Sequence, residues 1–345
     1  MMFYQEGLAS IRQLHLEISS RCNAACPQCP RNFYGYPFND GYIERDLSLE
    51  EVRRIFPSGF VAQLQQVLIN GNFGDIVMNP HSLEIMRYFR LHNSKASLEV
   101  TTNGGARGKD FWQGLAELGC RVFFCLDGID NHTHALYRQN TIYDVVLKNA
   151  QIFIAAGGHA IWKMIEFEHN QHQIQSARHM SEQLGFEEFD LINHNRDVGP
   201  VYGSSGQLVH VMQPTKWANF NLPTEFSEAL LFRKTQKITP DSIAINLRPE
   251  IKCKVTDNKF NSLYVSSTGH VYPCCWLGMA PETYGHGCFV EGANAQLRPF
   301  ISENNALEYG LEHCIRWFDK VRDSWSKKTI QDGHLIHCNV NCGCT

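Results

Sequence analysis

Between residues 11 and 193 the apolar pattern switches repeatedly between a period of two and a helical period, and this alternation constrains the fold more than any other feature. Residues 11–18 (IRQLHLEI) alternate through Leu14, Leu16 and Ile18 and predict a first strand. Further strands are predicted at 66–70 (QVLIN), 97–102, 121–126, 160–167 and 188–193. Between them lie helical patterns. Ser48 and Glu51 form a capping box opening a helix to about Phe56, which Pro57 ends. Residues 79–93 predict a helix with Asn79 as its cap and Pro80 at its first position. Helices follow near 108–118, 142–156 and 171–184, the last capped by Asn170, while residues 32–47 read as irregular. Six such repeats imply right-handed crossovers and a parallel sheet, closing into an open or partial barrel. Ligand sites on such sheets lie beyond the carboxyl ends of the strands.

Directly after the first strand comes RCNAACPQCPR, residues 21–31, with Cys22, Cys26 and Cys29 in a C-x3-C-x2-C array. On a helix these positions would share one face, a buried stripe of thiols. Pro27 and Pro30 argue for a loop instead, because each removes a donor and pushes the preceding residue to an extended conformation. A short loop can wrap three thiolates around one metal centre. Zinc usually takes four ligands from paired knuckles. Three thiolates with no fourth nearby suit an iron–sulfur cubane with one iron left open; zinc and buried thiols remain the alternatives.

The other predicted strand ends carry polar groups at the same opening. After the second strand, GNFGDIVMNP supplies Gly71, Gly74 and Asp75, either a backbone that approaches a ligand closely or an ordinary strand-to-helix turn. The third ends in Thr101, Thr102 and Asn103, for which a turn is nearly as good an account. GGARGKD is not a phosphate loop, since Asn103 holds the first glycine position and Asp110 replaces the Ser/Thr. The fourth ends at Cys125, Asp127 and Gly128, with Arg138 beyond; Cys125 reads as a core thiol. In the fifth, Lys163, Glu166 and Glu168 need a partner or water, which places one of them in a cavity or at a solvated strand end. His132, His134, His169 and His172 read as surface or capping residues.

The length of 345 residues permits a large core, a full domain and a smaller one. With 43% hydrophobic and 19% charged residues the chain reads as a globular enzyme, and its net charge of −4 predicts neither nucleic-acid nor membrane binding. No apolar run is long enough to span a bilayer, and the opening MMFYQEGLAS lacks a secretory plan. Thirteen cysteines then read as metal ligands in a reducing cytoplasm. Periodicity fades from about 194 to 250, where GPVYGSSGQ and prolines 214, 223 and 240 mark a connector, with a helix expected near 224–235. Beyond it cysteine density rises. The expected domains are therefore 1–198, a connector at 199–250, and 251–345. In the last, SLYVSSTGHVYPCCW predicts a hairpin turning at Thr268-Gly269, and the chain closes on HCNVNCGCT. Four thiolates from a hairpin and a tail can clamp a second cluster or a zinc ion.

The cysteine array resembles the signature of the radical S-adenosylmethionine (SAM) enzymes. The resemblance implies a partial (β/α)6 TIM-like barrel in which Cys22, Cys26 and Cys29 hold a [4Fe–4S] cluster whose fourth iron chelates SAM. Reductive cleavage of SAM would give methionine and a 5′-deoxyadenosyl radical that takes a hydrogen atom from its substrate. The family usually reads Gly-Gly-Glu-Pro after the second strand, with a second proline five residues after the glutamate. Here Phe73, Gly74, Asp75 and Ile76 stand in its place and Pro80 five after Asp75. Gly74 and Asp75 would then meet the methionine amino group. Thr102 and Asn103 match a common Thr-Asn-Gly run, and Cys125, Asp127, Gly128 and Arg138 match a Ser-x-Asp-Gly turn followed by arginine, near the SAM ribose and carboxylate. Gln28 departs from the aromatic many relatives carry before the third cysteine. Cys253, Gly269 and Cys274 are similar to the opening of the SPASM/twitch extension, whose later cysteine spacing is absent. That implies one auxiliary [4Fe–4S] cluster on Cys253, Cys274, Cys338 and Cys342, with Cys344 or Cys275 as substitutes and Cys288 and Cys314 unassigned. Implied partners are SAM, an electron donor such as flavodoxin or ferredoxin, and a peptide, protein or small-molecule substrate. The other readings are an activase of a partner protein, of the glycyl-radical or formylglycine type, and a non-catalytic metal scaffold or redox sensor.

Overall fold

The structure, a computed structural model, describes residues 3–37, 43–192, 199–212, 225–228, 248, 250–256, 261–279, 297, 302–329 and 332–344. The helix expected near 224–235 lies mostly outside these, and so does Cys288. The alternating pattern becomes six parallel strands: β1 (Ile11–Leu16), then, after a small ladder of β2 (Asn32–Phe33) and β3 (Tyr36–Pro37), β4 (Gln66–Ile69), β5 (Ser97–Thr102), β6 (Arg121–Cys125), β7 (His159–Ile165) and β8 (Glu188–Ile192). They lie side by side in that order, β1-β4-β5-β6-β7-β8, each parallel to the next. One face packs on the helices. Leu14, Val67, Val100, Val122, Phe124, Trp162 and Met164 are wholly buried there, and Trp112 and Phe153 of the helices close on Phe124 at 5.2 and 5.8 Å. The sheet is therefore a mixed α/β partial barrel.

Two predicted caps differ. Ser48 does form its capping box with Glu51. Asn79, however, is not the cap of the third-strand approach helix, which runs Ser82–His92 after a 3-10 turn at Ile76–Met78. Its amide donates to the Ile18 and Leu47 carbonyls at 2.7 and 2.9 Å, pinning the exit of β1. Asn170 does stand at the N-cap of a 3-10 turn, Gln171–Gln173, that leads into the helix Ile174–Gln183, but its side chain makes no capping bond. It accepts from the Phe167 N–H and donates to the Asp127 and Ile165 carbonyls, bracing the ends of β6 and β7. In both cases a buried amide satisfies backbone left over where a strand ends, a demand invisible to local pattern. A helix at Asn131–Tyr137, capped by Asp130, also went unforeseen.

Beyond the barrel, β9 (Pro200–Tyr202) and β10 (Leu208–Val211) form a hairpin. The C-terminal hairpin, β12 (Asn261–Val265) with β13 (Val271–Tyr272), joins the main sheet: β12 runs parallel to β1, making eight strands. Its turn needs Gly269, whose φ is +87° and whose added Cβ would meet Asn305 Oδ1 at 2.7 Å. The tail is ordered by the chain itself. β14 (Gly343–Cys344) pairs antiparallel with β11 (Glu250–Ile251), following a helix at Ile336–Cys342. Among the described residues no helix is long and apolar enough to cross a membrane.

Candidate functional site

The cysteine loop stands at the carboxyl end of β1 and contains neither helix nor strand from Arg21 to Arg31. Its backbone is held from several sides. The Ala25 N–H donates to the Gln139 carbonyl at 2.9 Å, Asn32 Nδ2 to the Cys26 carbonyl at 3.2 Å, and Arg31 Nη1 to the Cys22 carbonyl at 3.1 Å. Cys22, Cys26 and Cys29 share one apolar cluster with Tyr137, Ile165, Phe167, Val201 and Met212. Burial raises the Cys22 thiol, helped by the Asp75 carboxylate, and burial pushes the Cys29 thiol up to about 11. Such sulfurs stay protonated unless a metal displaces the proton. Two polar groups already address them: Arg138 Nη1 donates to Cys26 Sγ at 3.7 Å and Asn103 Nδ2 to Cys22 Sγ at 3.5 Å. Donors to the sulfurs are what tunes thiolate-bound iron.

The residues picked at the strand ends fall into two buried networks beside this loop. In the first, Asp75 is enclosed. Its Oδ1 accepts from Thr102 Oγ1 at 2.6 Å and Val77 N–H at 3.1 Å, and its Oδ2 from the Asn103 N–H and Nδ2 at 2.7 and 2.8 Å. Four donors fill the acceptor sites of one carboxylate. Burial nonetheless raises its pKa against those bonds. Gly74 is explained by packing, since a Cβ there would sit 1.8 Å from the Ser19 carbonyl oxygen.

In the second, Asp127 Oδ2 accepts from Arg138 Nε at 2.5 Å and Oδ1 from the Ile165 N–H at 2.6 Å. His134 is no surface residue. It is wholly buried, with Nδ1 accepting from the Asp127 N–H and Nε2 against Thr141 Oγ1 at 2.9 Å. Because Thr141 donates its own proton to the Arg138 carbonyl, His134 holds the Nε2–H tautomer, and burial lowers its pKa to about 4. Cys125 is buried on the same strand end, in register with Lys163.

The sheet's other face, alternating with the helix-packed residues, is polar. Lys163 pairs with Asp190 at 3.3 Å and lies 5.2 Å over the Phe123 ring; Arg121 pairs with Glu188; His15 Nε2 donates to the Asn70 carbonyl. Glu168 is exposed at the strand end. Glu17, a buried carboxylate at the exit of β1, escaped sequence reasoning because one glutamate ending an apolar strand looks like a boundary. It accepts from the Phe73 and Gly74 N–H groups and from the Tyr264 hydroxyl.

In the C-terminal region Cys253, Cys274, Cys338 and Cys342 line one cavity of about 150 Å³, together with Trp276, Leu277, Val321 and Trp325. Cys338 and Cys342 reach it from one face of the tail helix, being four apart. Cys275, Cys314 and Cys344 do not line it. Among the described residues no three Cys, His, Asp or Glu groups converge as ligands of a single ion.

Residues 16–165 match the model of the radical SAM superfamily. No curated protein matches the chain. Among solved structures it is similar to SuiB of Streptococcus suis bound to the precursor peptide SuiA, with a TM-score of 0.56 and 15% identity over 94% of this chain and 66% of that one. It is also similar to SuiB bound to S-adenosylmethionine, at a TM-score of 0.55 and 15% identity over 93% and 76% of the two chains. At such identities the likeness is one of fold, and the chain spans about two thirds of the length of the peptide-bound SuiB chain. Residues 16–165, which carry the parallel sheet and the cysteine loop at its carboxyl end, are thus similar to the radical SAM superfamily.

Proposed function

We propose that the chain is a radical SAM enzyme acting on a peptide or protein side chain, with Cys22, Cys26 and Cys29 holding a [4Fe–4S] cluster. The observation that carries this reading is the environment of the three loop thiols. They share one apolar cluster at the carboxyl end of a parallel strand, with Arg138 and Asn103 donating to two of the sulfurs. When bound, the cluster and SAM supply one-electron reductive cleavage of the sulfonium. The protein's own groups do the rest. Asp127 fixes Arg138 beside Cys26, Asp75 orders Thr102 and Asn103 beside Cys22, and apolar side chains pack around the loop thiols. Gly74, Asp75, Thr102, Asn103, Asp127 and Arg138 would border SAM, through these ordered turns rather than through a free Asp75 carboxylate.

A second, auxiliary [4Fe–4S] cluster on Cys253, Cys274, Cys338 and Cys342 is supported by their shared cavity. The Lys163–Asp190 pair on the sheet's polar face suits a substrate rich in amides and charges, and SuiB in the likeness above is bound to a precursor peptide. Full-length protein reconstituted anaerobically with iron and sulfide, then given SAM and dithionite, is expected to release 5′-deoxyadenosine and methionine in equal amounts. Loaded protein that releases none would overturn the proposal.

A further inference from the structure

The turn after β4 is tied to the C-terminal hairpin by side chains that bypass every cysteine thiol. Glu17 is 1% exposed. Its Oε1 accepts from the Phe73 and Gly74 N–H groups at 2.7 and 2.9 Å, and its Oε2 accepts from the Tyr264 hydroxyl at 2.7 Å. Tyr264 is wholly buried on β12, the strand that extends the barrel sheet beside β1. The Glu17 N–H in turn donates to the Val265 carbonyl at 2.9 Å. A second tie runs from Asn72 Nδ2 to the Cys275 carbonyl at 2.8 Å, one residue from Cys274 at the cavity. The same hairpin strand that meets Tyr264 through Tyr272 therefore runs on within two residues to a cavity thiol.

A buried carboxylate is tolerable only while its acceptor sites are filled. Glu17 obtains two donors from the turn and one from the hairpin, so displacement of either side leaves the other's partner incompletely paired. Such an element has a preferred joined state that events on both sides can bias, which is the physical content of coupling between sites.

We propose that Glu17 and Tyr264 are positioning residues that couple the C-terminal cysteine cavity to the turn at residues 71–75, so that emptying the cavity of its cluster weakens SAM binding. This rests on the reading of that turn as bordering SAM.

Two measurements on full-length, cluster-loaded protein test it. The first is hydrogen exchange at the Phe73 and Gly74 amides without SAM. The second is SAM affinity by equilibrium dialysis. Tyr264→Phe is expected to speed exchange at both amides and to weaken SAM binding roughly threefold to tenfold, the range for partial loss of a hydrogen bond to a charged group. Glu17→Gln should act in the same direction. The double variant Cys338→Ala/Cys342→Ala should do likewise, and adding Tyr264→Phe to it should cost less than in the parent protein. Unchanged amide exchange, or effects that add in full, would overturn the coupling. Asp75→Asn separates the two claims. If it weakens SAM binding while Tyr264→Phe does not, the coupling alone fails. If Asp75→Asn leaves affinity untouched while Tyr264→Phe still speeds exchange, the reading of the turn fails and takes the coupling with it.

Discussion

Asp75 stands out in the sequence, and its surroundings in the fold do not. Its position at a glycine turn, five residues before Pro80, marks it out, and Thr102 and Asn103 are marked by the end of their own strand. What no linear reading reveals is that the three find one another, the carboxylate taking its donors from Thr102, Asn103 and Val77. Asp75→Asn turns one of these acceptors into a donor facing Asn103 and leaves buried N–H groups unpaired. Unfolding in denaturant should show a loss of about 1–3 kcal/mol in SAM-free protein. Unaltered stability would mean that the network does not depend on the charge. His134, by contrast, was unreadable: its buried pairing with Asp127 and Thr141 depends on the short helix Asn131–Tyr137 folding back onto the end of β6.

Among the elements, the tail departs most from its pattern. HCNVNCGCT has little apolar content, which makes a metal clamp the natural reason for it to be held. The structure adds reasons of its own. The Lys252 N–H donates to the Cys342 carbonyl, Arg248 Nη1 to the Gly343 carbonyl, and Asn339 exchanges hydrogen bonds with the Arg248 backbone. Ile336 and Asn339 are buried. Deleting residues 338–345 removes two thiols of the cavity together with the β11–β14 pairing. Iron content should fall by one cluster, about four irons, and proteolysis should open the region from residue 250 onward while the barrel stays intact. Two full clusters in the truncated protein would move the ligands to other cysteines. The hairpin was legible from its turn residues, but not its destination beside β1, because strand neighbours distant in sequence leave no local trace.

For the whole molecule, the alternation was enough to anticipate six parallel strands, since helix-packed positions such as Val100, Val122 and Trp162 repeat with a period readable by eye. The polar face was only hinted at through Lys163, because its ion-pair partner Asp190 comes from the next strand. The proposed function depends on the cysteine loop holding a cluster that meets SAM. The most direct measurement is electron paramagnetic resonance of the reduced protein with and without SAM. It is best made in Cys338→Ala/Cys342→Ala, which would lose the proposed auxiliary cluster, and in Cys22→Ala/Cys26→Ala/Cys29→Ala. The account predicts a [4Fe–4S] signal in the first variant that changes on adding SAM, and no SAM-responsive signal in the second. A SAM-responsive signal that survives loss of the three loop cysteines would contradict it.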